Sequence, residues 1–277
     1  MRGSISAFTF VFALAFTQGA AAQAGAAVSF IACPIARDTG PDTDLCFLAE
    51  HAGRRYALVN PPDWGAPQLL HKVLVEGRVT GGPDVCGAIA LEGRVSVLTE
   101  IDASCDQVLP FDGSVRGAAG GIFNSGTPAQ RAYALDLAQR AEAAPKLSVA
   151  PVFPDAPPAP PPAPPFTKQT LTLYFPFDSE RGSGPDMAAA VKLADYAKAA
   201  KAKVAIVGFT GASRLSDGST LTEQPNMGSS RAAKLAGIFI GLGVDKRAVS
   251  FSASQVANAP TADEDWRSRR IEIEILP

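Results

Sequence analysis

Hydrophobic positions in this chain change their period twice, and the changes divide it into segments. From about Ala26 to Gly117 apolar residues come in short runs between turn signals. Arg55-Tyr56-Ala57-Leu58-Val59 is one run, ended by Asn60-Pro61-Pro62, and Val73-Leu74-Val75-Glu76-Gly77-Arg78-Val79 is another, ended by Gly81-Gly82-Pro83-Asp84. Gly87 to Leu91 and Val95 to Leu98 follow. Such runs predict a small all-β domain of about five strands, barrel-like or sandwich-like. Thr127-Pro128 then supplies a cap and a first-turn proline, and the Ala-rich stretch behind it predicts a helix ending near Ala144.

Residues 151–165 contain nine prolines. With so few backbone donors the stretch is expected as extended polyproline II, reaching roughly 45 Å if straight. Beyond it strand and helix periods alternate. Strands are predicted over Leu171–Phe177, Val204–Phe209, Val249–Ala253 and Arg270–Leu276, and helices over Pro185–Ala200 and from Gly228 or Ser229 to Leu242, closed by Gly243. Arg270-Ile271-Glu272-Ile273-Glu274-Ile275 alternates strictly, so one face is expected buried and the other wet. The fold class is α+β: a βαβαββ two-layer sandwich preceded by a small disulfide-braced all-β domain and a Pro-rich linker. The expected organisation is a signal peptide over 1–24, the all-β domain over 25–117, the helix over 118–145, the linker over 146–166 and the C-terminal domain over 167–277.

The signal peptide rests on Arg2, ten apolar residues from Ala7 to Phe16, and small residues offering Ala-x-Ala cleavage at Ala22 or Ala24. Ten residues are too few to cross a bilayer as a helix, which takes about 20, so no transmembrane segment is expected in the mature chain. Cys33 follows Phe30-Ile31-Ala32, a faint lipobox lying past the apolar run. Export makes the cysteines candidate disulfides. Cys33, Cys46, Cys86 and Cys105 all precede residue 110 and contain no C-x-x-C pair, which argues against zinc. Three pairings are open; short loops favour Cys33–Cys46 with Cys86–Cys105, each worth about 3 kcal/mol in the chain-entropy description.

Charge narrows the function classes. Residues 25–145 hold 9 Lys and Arg against 14 Asp and Glu, and residues 146–277 hold 15 against 13. Neither part is basic enough to track a phosphate backbone, so nucleic acid is not expected as a partner. His51 and His71 are the only histidines and lack a third ligand, so no metal or other cofactor is expected. No nucleophile, carboxylate pair or Gly-rich phosphate loop forms a catalytic set, and Trp64 reads as loop packing. The chain is not expected to be an enzyme.

Four pieces of the last hundred residues carry a resemblance. Tyr174-Phe175-Pro176-Phe177-Asp178-Ser179, Val207-Gly208-Phe209-Thr210-Gly211, Ser230-Arg231-Ala232 and Ser268-Arg269-Arg270-Ile271-Glu272-Ile273 stand in the order seen in OmpA-like (OmpA/MotB C-terminal, peptidoglycan-associated) domains. The segment resembles that family over about 105 residues. The resemblance implies an exported cell-envelope protein, in the periplasm or peripheral to the outer membrane, that binds peptidoglycan non-covalently. In the family an Asp and an Arg grip the ammonium and carboxylate of diaminopimelate in the stem peptide. Here Arg231 stands at the Arg, Gly211 at the Asp, Phe209 at the family His and Ser268 at the family Asn.

The resemblance implies Arg231, Thr210, Gly211, Asp217 and Arg269 as ligand-site residues. Gly211 could equally serve a turn with positive φ, Arg231 could pair with a surface carboxylate, Phe209 could be core packing, and Arg269 or Arg270 could be structural. Losing one charged hydrogen bond weakens binding by about one to two powers of ten. The loop from Gly211 to Arg231 is about five residues longer than is usual in the family, so Asp217 or Glu223 could fold back to the vacant place. The alternative function is a scaffold that has lost peptidoglycan and serves as a protein–protein interaction module. In the peptidoglycan-binding reading the Pro-rich spacer holds residues 25–117 off to meet another envelope protein.

Overall fold

A computed structural model describes residues 23–39, 45–59, 67–110, 162–255 and 259–277. Residues 1–22 of the signal peptide, the Asn60-Pro61-Pro62 turn, Trp64, the Ala-rich helix and residues 146–161 of the Pro-rich linker lie outside the described residues.

Among the described residues the N-terminal module is one sheet of seven strands. β1 (Ala27–Ala32), β2 (Ile35–Arg37), β3 (Cys46–His51), β4 (Arg54–Val59), β5 (His71–Val79), β6 (Ile89–Ile101) and β7 (Val108–Leu109) lie in the order β1-β5-β6-β4-β3-β2-β7. Because side chains alternate along a strand, β3 and β4 feed two cores. Ala49, Tyr56 and Leu58 join Phe30, Val73, Val75 and Leu91 in one, whereas Leu48 and Ala57 join Ile35, Cys46, Cys86 and Ala88 in the other.

Two expectations are corrected here. The run 87–91, from Ile89 on, and the run 95–98 belong to a single strand, β6, because Gly93 sits opposite Gly77 of β5. A Cβ on Gly93 would fall 2.2 Å from the Glu76 carbonyl oxygen, so the glycine pair lets two backbones approach instead of breaking the strand. The disulfides are Cys33–Cys105 and Cys46–Cys86, not the two short-loop pairs. Cys46 on β3 and Cys86 share the second core, so strand packing brings them together across 40 positions.

The C-terminal module runs β8 (Gln169–Tyr174), α1 (Gly184–Ala200), β9 (Lys203–Thr210), β10 (Ala212–Arg214), β11 (Thr220–Thr222), α2 (Met227–Gly241), β12 (Val249–Gln255) and β13 (Arg270–Leu276). Its four-stranded sheet has the order β12-β9-β13-β8, with β12 parallel to β9 and the other two pairings antiparallel. Ser183 caps α1 by accepting from the Asp186 amide at 3.1 Å, and Pro185 sits in the first turn, as the preferences for those positions require. Gly243, at φ +96°, follows the end of α2.

Ile271, Ile273 and Ile275 of β13 are buried together with Val204 and Ile206 of β9, Ala190, Ala194 and Ala197 of α1, and Ala232, Leu235, Ala236 and Phe239 of α2. Both helices therefore cover the same face of a mixed sheet, the α+β arrangement expected. Complete burial of a side chain such as Phe239 is worth about 1.5–3 kcal/mol. The segment between β9 and α2, read as a long loop, instead holds the antiparallel hairpin β10–β11.

The two modules touch at buried polar groups. Ser96 of β6 accepts from the Phe177 amide at 3.0 Å. The Ser29 amide of β1 donates to the Ser216 hydroxyl at 2.9 Å, and the Ser216 amide donates back to the Ser29 carbonyl at 2.6 Å. At the rim Arg78 pairs with Asp263, and the Arg94 guanidinium lies 4.7 Å from the centre of the Trp266 ring.

Candidate functional site

β9 delivers Phe209, Thr210 and Gly211 to the end of the sheet, and α2 places Arg231 just inside its first turns, facing them. Helix position alone would leave a long cation near solvent. The hairpin instead turns the chain back, so that the Glu223 amide donates to the Gly211 carbonyl at 3.1 Å and the Glu223 carboxylate lies against Arg231. Arg231 and Glu223 are 1% and 2% exposed.

Their hydrogen bonding is complete. The two terminal guanidinium nitrogens donate to the Glu223 oxygens at 2.9 and 2.5 Å. The same nitrogens also reach the Phe209 carbonyl at 3.2 Å and the Pro176 carbonyl at 3.1 Å, and Nε donates to the Ser179 carbonyl at 2.7 Å. A guanidinium has five N–H donors, and all five are used. Glu223 Oε1 also accepts from the Asp178 amide at 3.0 Å, and Oε2 from the Gly211 amide at 2.8 Å. Each carboxylate oxygen thus takes two donors, which fills its ordinary capacity. The Phe175 ring lies beneath the guanidinium, 5.0 Å from its carbon. Burial next to this pair, and then the Glu223 charge, push the Asp178 carboxyl above its ordinary value against the bond it accepts from the Gln224 amide.

Gly211 is required by close approach, not by a positive φ. A Cβ there would stand 2.3 Å from the Ser268 hydroxyl and 2.6 Å from Cγ of Arg269. An aspartate at this position has no room for its first carbon. Glu223 fulfils the fold-back anticipated for the long loop, and Asp217 does not. Asp217 lies at the hairpin turn, where it accepts from the Ser219 amide at 2.8 Å and hydroxyl at 2.6 Å. Those bonds hold its carboxyl below the usual range.

The remaining candidates are placed elsewhere in the arrangement. Thr210 uses its hydroxyl to accept from the Gly228 amide at 2.9 Å, fixing the start of α2. Phe209 packs beneath the guanidinium of Arg270 at 4.0 Å, and Arg270 pairs with Glu272. Ser268 donates to the Asp265 carbonyl at 2.6 Å. Arg269 is fully buried in a second bidentate pair, with Glu76 of β5. Its terminal nitrogens meet both Glu76 oxygens, one at 3.2 Å, and also Ser213 Oγ at 2.8 Å, while Ser213 donates to Glu76 at 2.8 Å. Nε contacts the Phe175 carbonyl at 3.4 Å.

Sequence reasoning missed Glu76, Ser213 and Ser96. The signal for Glu76 was a carboxylate within the apolar run Val73-Leu74-Val75, on a strand whose two faces are both covered. His51 stacks on Phe30 at 4.5 Å, and His71 Nδ1 lies 2.9 Å from the Leu98 carbonyl oxygen. Among the described residues no group of three His, Cys, Asp or Glu could hold a metal. No described helix is long and apolar enough to cross a membrane. A cleft of about 580 Å³ opens beside the pair, lined by Thr210, Gly211, Glu223, Pro260, Arg267 and Arg270 among others.

No family model matches the chain, and no curated protein matches it. Solved structures similar to it include the OmpA-like domain of FopA1 from Francisella tularensis (15% identity, 40% of this chain and 73% of that one, TM-score 0.32). They also include the periplasmic domain of Helicobacter pylori MotB (20% identity, 39% and 74%, TM-score 0.31). A third is the cell wall anchor of the type VI secretion system (T6SS) from Pseudomonas aeruginosa (17% identity, 39% and 81%, TM-score 0.31).

Proposed function

We propose that this chain is a cell-envelope protein in which an OmpA-like scaffold holds a disulfide-braced β-module, with the stem-peptide site of that scaffold occupied from within by Glu223. The observation that carries the reading is the saturation of Arg231: five donors meet five acceptors inside the fold. A diaminopimelate carboxylate has no free donor to meet there, and Gly211 offers no carboxylate to its ammonium. The scaffold then acts as a protein–protein interaction module, its β-module meeting another envelope component. The disulfides Cys33–Cys105 and Cys46–Cys86 support an oxidising compartment, the periplasm. The chain is read as a non-enzyme, located in the periplasm and peripheral to the outer membrane.

A second reading is direct, non-covalent peptidoglycan binding, favoured by the open cleft against Thr210, Gly211 and Arg270. Co-sedimentation of the purified full chain with isolated sacculi separates the two. The first reading expects the protein to stay in the supernatant. Retention that is lost in Arg270→Ala or Arg231→Ala would overturn it in favour of the second.

A further inference from the structure

The hairpin β10–β11 touches three partners along its short length. At its base the Glu223 amide and carboxylate close on Gly211 and Arg231. Along β10, Ser213 Oγ lies between Arg269 and Glu76 of the N-terminal module, buried and bonded to both. At the turn, Ser216 exchanges two hydrogen bonds with the backbone of Ser29 in β1. Its own cross-strand pairing covers three residues on each side, Ala212 with Thr222, Ser213 with Leu221 and Arg214 with Thr220. A two-stranded hairpin of that size is marginal in water without packing partners. Two of its anchors, Glu76 and Ser29, belong to the other module; outside its base its own module holds it through Arg269, which donates to Ser213 Oγ at 2.8 Å, and through the Arg214 amide, which donates to Asp265 at 2.8 Å.

We propose that the hairpin couples the two modules: docking of the β-module through Glu76 and Ser29 seats Glu223 on Arg231, and release of that module frees Arg231 to receive a carboxylate-bearing ligand. The proposal rests on Glu223 being the internal occupant of the site. Geometry gives the direction of coupling. Ser213 and Glu223 are fixed relative to each other by the β10–β11 pairing, so a change at the first is transmitted to the second through paired backbone. Without Glu76, Ser213 loses the acceptor of its hydroxyl proton, and Arg269 becomes a buried cation without a counterion. Either change favours undocking. The site at Arg231 then loses the frame that holds its carboxylate, while helix α2 and the sheet, with their separate apolar core, remain.

Hydrogen exchange of the full chain tests this, comparing wild type with Glu76→Gln, which keeps the side-chain volume but removes the charge. The expected result is exchange at least about tenfold faster for the Gly211 and Glu223 amides and across 212–222, with the core amides of β13 unchanged, as local opening without global unfolding requires. Faster exchange confined to β5 and β1, with Gly211 and Glu223 as protected as in wild type, would overturn the coupling. If Glu76→Gln does not fold, Ser216→Ala removes only the hydroxyl that Ser29 donates to, and the same amides should quicken by a smaller factor. No change there would equally overturn the proposal. Loss of coupling leaves the sacculus result of wild type untouched, so the two readings fail separately.

Discussion

Two buried Arg–Glu pairs lie close together in this molecule and do different work. Arg231 and Glu223 are eight positions apart, and their pair is part of the framework of one module. Besides each other they hold three carbonyls and two amides. Arg269 and Glu76 are 193 positions apart and join two modules, with one serine and one long carbonyl contact around them. A buried ion pair is weak evidence for stability in itself, because desolvation offsets its attraction. What separates the two is how many neutral groups depend on each.

Replacing both pairs by apolar side chains exposes that difference most strongly. Arg231→Met with Glu223→Leu takes a partner from five backbone groups, of which the Pro176 carbonyl keeps the Ser179 amide; at about 1–3 kcal/mol for each of the others, a loss of about 4 kcal/mol or more is expected in denaturant unfolding. Arg269→Met with Glu76→Leu leaves only Ser213 and the Phe175 carbonyl, and about 1–3 kcal/mol is expected. Equal losses would show that the surrounding backbone bonds do not distinguish the pairs.

Gly211→Ala probes the wall shared by the two pairs, since its new carbon meets Ser268 and Arg269 on one side while its amide serves Glu223 on the other. Overpacking of this kind costs about 1–3 kcal/mol. A variant as stable as wild type would show that Ser268 can turn aside and that the closed site has room after all.

The smallest effect is expected at Asp102, a partly exposed carboxylate outside both pairs. It accepts from the Ser104 hydroxyl and amide and lies 3.1 Å from Lys72; these bonds lower its pKa from 3.8 to about 2. The folded value is the lower one, so the contribution is complete above about pH 4 and is lost as pH falls towards 2. Urea midpoints of wild type and Asp102→Asn should therefore differ at pH 5 and converge near pH 2. A constant difference across that range would assign the effect to packing rather than to charge.

Much of the C-terminal fold was legible because its signals are local. The strict alternation of β13, the Ser183 cap with Pro185, and Gly243 after α2 each state a backbone requirement within a few residues. The N-terminal module was less legible. Two of its cysteines pair across 72 positions, and Gly93 falls between two separate apolar runs in sequence although it is a cross-strand contact within one strand in space. At the site, the spacing between Gly211 and Arg231 announced an unusual loop, and Glu223 was one of two carboxylates able to return. Choosing between them took the hairpin register, which points Asp217 outward at the turn.

By itself the sequence determined the βαβαββ order, the residue types at the resembling motifs and the absence of an Asp at position 211, because each depends on residue identity and local periodicity. Only the tertiary structure decided that Arg231 is saturated, that Arg269 serves the junction of two modules, and that Glu76 is its partner. Those facts depend on which distant groups fill the remaining donor and acceptor sites of a buried charge, and sequence neighbours carry no record of that count.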